Sequence, residues 1–144
     1  MTLKKKSSPH LTDLRAWIRA ADEIGELRVV EGADWRLEIG AISELNCRLK
    51  PTPALLFDKI KDYPAGYRIL TSTTASRRRL LLTLGMSMDL DDRAFAEALV
   101  GKPNHWEQQS VHFPPTLVSE GPVLENVLDS NIELESFPAP IWHA

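Results

Sequence analysis

Cysteine is almost absent: Cys47 stands alone among 144 residues. One thiol closes no intrachain disulfide and builds no Cys-based zinc site, and it fits a reducing compartment. Long apolar runs are also missing. Ala54-Leu55-Leu56-Phe57 is among the longest, far too short to cross a bilayer. No basic excess exists either, since 17 Lys and Arg against 20 Asp and Glu leave a net charge of −3. That balance disfavours a dedicated nucleic-acid binder. The basic opening Lys4-Lys5-Lys6 runs into Ser7-Ser8-Pro9-His10 and then an amphipathic segment, not into the apolar stretch of a signal peptide. Together these absences predict a soluble, cytoplasmic domain without membrane or nucleic-acid partners.

What is present suffices for one core. The chain is 43% hydrophobic and 26% charged, near the globular average. Residues 1–11 read as a flexible tail, 12–130 as one domain and 131–144 as an extended segment. Thr12 is the expected N-cap of a first helix with Leu14, Trp17, Ile18, Ala21 and Ile24 at helical spacing, stopped at Gly25. Leu27–Val30 is strand-like. Asp34 is the expected cap of a second helix whose stripe is Leu37, Ala41, Ile42, Leu45 and Leu49, ended by Pro51 and Pro53. Ala54–Phe57 and Tyr67–Thr71 follow as strands around the turn residues Asp62–Gly66.

Ser76 caps a short helix stopped by Gly85, and Asp91 caps another stopped by Gly101 and Pro103. Asn104–Pro115 shows little periodicity and reads as a loop. Thr116–Val118 and Val123–Val127 are expected to be extended. The sum is an α+β domain of about four short helices and four to five short strands. Trp17, Ile18, Leu37, Ile42, Leu45, Leu55 and Phe57 are its expected common core.

Residue types alone yield little chemistry. His10, His105, His112 and His143 never pair at the spacing that puts two ligands on one helix face. Asp89, Asp91 and Asp92 lack the glycine and terminal glutamate of a calcium loop. No phosphate-binding glycine loop and no nucleophile elbow occurs. Cys47, beside the apolar stripe, reads as a buried inert thiol.

Two features remain. Ser76-Arg77-Arg78-Arg79 opens a helix, where N–H groups and guanidinium groups can hold an anion or pair with acidic neighbours. Phe137, Ile141 and Trp142 bring large apolar groups into a proline-rich segment, either folded onto this domain or covered by a partner.

A set of short motifs in order resembles the N-terminal region of the UbiD-type decarboxylases, the family of polyprenyl-hydroxybenzoate carboxy-lyase. Asp13-Leu14-Arg15 leads into Gly25-Glu26-Leu27, then Leu37-Glu38-Ile39 and Pro53-Ala54-Leu55-Leu56-Phe57. Ser76-Arg77-Arg78-Arg79-Leu80 runs through Leu84-Gly85. Glu120-Gly121-Pro122-Val123 and Glu125-Asn126-Val127 precede Phe137-Pro138-Ala139-Pro140 and Trp142-His143.

The resemblance implies an N-terminal domain or subunit of an enzyme that reversibly decarboxylates aromatic or α,β-unsaturated acids with prenylated FMN and manganese. In that family the catalytic glutamate–arginine–glutamate set, the metal ligands and the flavin-binding barrel follow such a segment. The resemblance therefore assigns no catalytic, cofactor-binding or metal-binding residue to these 144 positions. It implies a complementary chain carrying the barrel, or a second copy, as partner. A stand-alone non-catalytic assembly module is the alternative.

Overall fold

The computed structural model describes residues 11–142, so the basic tail, His10 and His143 lie outside the described residues. Contacts divide the chain into two compact units, one running to Asp89 and resuming at Glu135, the other spanning Leu90–Leu134.

The first unit is built on a sheet ordered β1-β2-β3, comprising β1 (Leu27–Glu31), β2 (Ala54–Asp58) and β3 (Ile69–Thr71). β1 and β2 are parallel, with Leu27 opposite Ala54, and α2 (Glu38–Cys47) makes the crossover. β3 returns antiparallel, placing Leu56 opposite Leu70. Ala54, Leu55, Leu56 and Phe57 are all buried, as an unbroken apolar strand covered on both faces must be.

Side chains alternate along β2, so the core divides in two. Ala54 joins Trp17, Ala20, Ala21 and Leu82, from α1 (Leu14–Glu23) and α3 (Arg77–Thr83). Leu55 and Phe57 join Ala33, Ile39 and Ile60 beside α2. The expectation of one common core is thereby corrected, because the sheet separates Trp17 from Phe57.

The stripe expected on α2 is corrected as well. Leu45 is 61% exposed, Leu37 42% and Leu49 51%. The helix instead buries Ile39, Gly40, Ser43 and Asn46. Small and polar residues can fill an interior face when each polar atom finds a partner. Ser43 Oγ lies 3.1 Å from Thr71 Oγ1, and Asn46 Nδ2 donates to the Pro53 carbonyl at 2.8 Å. Cys47 ends the helix exposed, not buried.

Capping residues set the helix starts. Asp13, one residue later than expected, accepts from Ala16 N at 2.6 Å. Asp34 does not cap α2 directly. Its carboxylate accepts from Arg36 N at 2.8 Å, while Glu38 accepts from Asp34 N at 2.7 Å. The helix opens after Leu37, whose φ of 68° turns the chain. The hydrogen bond from Lys61, then that from Arg36 N, holds the Asp34 carboxyl below the usual range. Ser76 caps α3 as expected, accepting from Arg79 N at 3.2 Å. Gly25, at φ 73°, closes α1 in the left-handed conformation.

The Leu90–Leu134 unit holds α4 (Asp92–Leu99), capped by Asp91, and α5 (Lys102–Ser110). The loop expected over Asn104–Pro115 is thus helical through Ser110. Gly101 and Pro103 open α5, and its weak periodicity follows from burying no residue. The strands expected at Thr116–Val118 and Val123–Val127 do not form; Pro122–Leu124 is a single 3-10 turn. Among the described residues the count is therefore five α-helices and three strands, against about four helices and four to five strands expected. The α+β class stands. No helix among the described residues is long and apolar enough to cross a membrane.

A two-faced sheet and an α2 that leaves Leu45 in solvent predict a sharp contrast in stability. Phe57→Ala is expected to cost ~3–5 kcal/mol, and Leu45→Ala less than ~0.5 kcal/mol. Denaturant unfolding of both variants measures the difference, and equal losses contradict the assignment.

Candidate functional site

The arginine run at the start of α3 turns out to face an anion supplied by the chain itself. Arg79 is fully buried, and its Nη1 donates to Glu26 Oε2 at 2.6 Å. Ser76 Oγ donates to the same oxygen at 2.8 Å, and Arg78 Nη1 reaches Glu26 Oε1 at 3.4 Å from a more exposed position. The rest of the Arg79 fork is satisfied by main chain, with Nη2 on the Ser72 carbonyl at 2.9 Å and Nε on Thr73 at 3.2 Å.

Burial pulls the guanidinium below its ordinary pKa, opposed by the Glu26 carboxylate. Ser76, Arg78 and Arg79 are thus brought together around one carboxylate, while Arg77 is half-buried on the same helix. Glu26, named in the sequence only within the Gly25-Glu26-Leu27 motif, is the acidic partner of the arginine run that sequence reasoning did not single out.

The second feature is the segment after Glu135. Tyr63 Oη donates to the Glu135 carbonyl at 3.1 Å and lies 3.3 Å from that of Phe137. A run of aromatic contacts, Trp35 to Tyr63 to Tyr67 to Phe137, carries ring centroids 6.2, 6.1 and 6.1 Å apart. Those spacings suit edge-to-face attraction. Ile141 N then donates to the Trp35 carbonyl at 3.0 Å, and Arg36 and Ile141 pair as a short parallel bridge.

Beyond that bridge the backbone crosses α2 at Gly40. A Cβ there would lie 2.6 Å from the Trp142 Cα, closer than real contacts allow. Phe137, Ile141 and Trp142 therefore share one strap on the first unit. Its backbone is held, yet all three side chains stay exposed, Trp142 at 44%.

A third feature had no sequence signal. A groove of about 460 Å³ opens beside the first turn of α1, floored by Ile18, Leu56 and Leu70 and rimmed by Arg15 and Arg68. Asp13, its acidic neighbour, already caps α1. His105 and His112 are exposed in the other unit, and no group of three metal-ligating side chains gathers among the described residues.

The sequence matches a family model described as the 3-octaprenyl-4-hydroxybenzoate carboxy-lyase N-terminal domain, over residues 18–99. No curated protein matches it. Among solved structures it is similar to the vanillic acid decarboxylase of Sedimentibacter hydroxybenzoicus. In the open form with a truncated second component, the TM-score is 0.72 at 28% identity, covering 92% of this chain and 28% of that one. The closed form gives 0.69 at 27% identity, covering 85% and 25%. A further open form gives 0.66 at 24% identity over 92% and 28%, a likeness of fold alone. The chain spans about a quarter of the length of these solved chains.

Two predictions follow from this geometry. Glu26→Ala strands the buried Arg79 charge and is expected to cost ~3–5 kcal/mol, whereas Arg78→Ala, half in solvent, should cost less than ~1 kcal/mol. Thermal unfolding separates them, and a neutral Glu26→Ala contradicts the buried pair. Gly40→Ala is expected to lift the strap, read as faster proteolysis near Trp142 and a red-shifted tryptophan emission. An unchanged cleavage pattern contradicts the crossing at Gly40.

Proposed function

The chain belongs to the UbiD family of 3-octaprenyl-4-hydroxybenzoate carboxy-lyases as its N-terminal domain, and from that premise we propose that it serves a reversible, non-oxidative decarboxylase of aromatic or α,β-unsaturated acids. The observation that carries this reading is the family match over residues 18–99 together with a shared fold at a TM-score of 0.72. The role proposed for the domain is to pack beside a cofactor domain and shape its entrance, not to perform chemistry.

Prenylated FMN with manganese is the cofactor this family implies, and the described residues do not fit it. A metal-bound flavin phosphate needs gathered carboxylate or imidazole ligands. Here the conspicuous arginine cluster is turned inward onto Glu26, and Asp34 is engaged by Lys61 at 2.8 Å and by Arg36 N. No step of a decarboxylation is therefore assigned to these side chains. The cofactor is proposed to sit on a complementary chain or domain carrying the flavin-binding barrel, with Phe137, Ile141 and Trp142 at the junction. The lone thiol supports a reducing, cytoplasmic setting.

A stand-alone assembly module is the second reading. It is favoured by the Leu90–Leu134 unit, where Leu117, Val123 and Leu134 stand largely in solvent.

The purified chain, supplied with prenylated FMN, manganese and a panel of aromatic acids, is expected to release no carbon dioxide. Adding the barrel-bearing polypeptide recovered from the native source is expected to restore release. Carbon dioxide from the chain alone overturns the non-catalytic assignment, and a barrel polypeptide that neither binds nor responds to the chain leaves the assembly-module reading as the account.

A further inference from the structure

The groove beside α1 opens at the margin of the first core layer. Ala54 and Leu56 point to the same face of β2, and Ala54 is packed with Trp17, Ala20 and Ala21 of α1. Leu56, paired with Leu70 across β2 and β3, comes to the groove instead, together with Ile18 of α1. The space of about 460 Å³ falls within the ~300–1,000 Å³ of small-molecule sites. A water takes ~30 Å³ of liquid, and a methylene is of similar size. The groove therefore has room for a chain on the order of ten atoms long.

Floor and rim differ in chemistry. The three floor side chains are wholly aliphatic, so a hydroxyl or peptide group laid on them gives up water without replacing its hydrogen bonds. A plain hydrocarbon body gives up nothing and gains by leaving water. At the rim, Arg15 and Arg68 are exposed, and among the described residues neither guanidinium has a hydrogen-bond or ion-pair partner. Asp13, the acidic side chain at the groove, already accepts from the Ala16 N–H at 2.6 Å. Two guanidinium groups against one carboxylate leave a single net positive charge at the rim. That charge matches a monoanion and not a dianion such as phosphate, and the planar guanidinium fork suits a carboxylate.

We propose that this groove binds a free medium-chain aliphatic carboxylate, its head held by Arg15 and Arg68 and its alkyl chain laid over Ile18, Leu56 and Leu70. The site is separate from the decarboxylase role. It makes and breaks no bond, and it needs neither flavin nor a second polypeptide.

Methyl NMR of the full chain tests this by titration with hexanoate, octanoate, decanoate and dodecanoate, each below its micellar range. Shifts are expected at Ile18, Leu56 and Leu70, with affinity rising ~fourfold for each added methylene that the groove covers. Decylammonium, with the same chain and the opposite charge, is expected to bind at least ~tenfold more weakly than decanoate. Arg15→Gln and Arg68→Gln are each expected to weaken decanoate ~tenfold at an unchanged melting temperature, since both side chains stand in solvent. Phosphatidylglycerol vesicles are expected not to retain the chain. No binding, binding indifferent to chain length or head-group charge, binding that survives both arginine changes, or shifts confined to other methyls each overturns the proposal. Vesicle binding as strong as that of decanoate moves the recognition to a lipid surface and overturns it equally.

Discussion

The buried pair between Glu26 and Arg79 is the constraint on which the first unit depends. Glu26 sits where α1 ends and β1 begins. Its N–H donates to the Ala21 carbonyl at 2.9 Å, and its carbonyl accepts from Ala54 N at 2.8 Å, at the start of β2. Its side chain then holds α3 through Ser76 and Arg79, and Arg79 in turn holds the chain leaving β3 through Ser72 and Thr73. The main chain of Glu26 thereby ties α1 to β1 and β2, and its ion pair with Arg79 adds α3 and the chain leaving β3. A charge taken out of water is tolerated only when its remaining donors are satisfied, and here each donor group of the fork is.

The opposite layer obeys a different rule. α2 turns Ile39 and Ile42 inward onto Leu55 and Phe57 and adds Ser43, Asn46 and Gly40 for hydrogen bonding and close approach. The same choice leaves its leucines outside. The helix can consequently act as a connector between β1 and β2, as a seat for the strap, and as an outward-facing apolar surface.

Much of the fold was legible because its signals are local. Ser76 and Asp91 cap their helices, Gly25 ends α1, and Ala54–Phe57 reads as a buried strand without any alternation to mark its two faces. What failed was non-local. The leucine row of α2 has the period of a buried stripe, and only the partners of Ser43 and Asn46 reveal that the helix is turned the other way. α5 was missed because a helix that buries nothing carries no apolar period. The Ser76–Arg79 cluster was visible as positive charge, but Glu26 lies far away in sequence, so an anion site and an internal ion pair looked alike.

The pair stands at the centre of the physical account of the first unit. A double-mutant cycle on Glu26→Leu and Arg79→Met, followed by denaturant unfolding, tests the pair most directly. Each single change is expected to strand a buried charge, while the double change removes both, so the coupling energy should exceed ~3 kcal/mol. Additive losses, with a coupling near zero, would contradict the central place given to the pair.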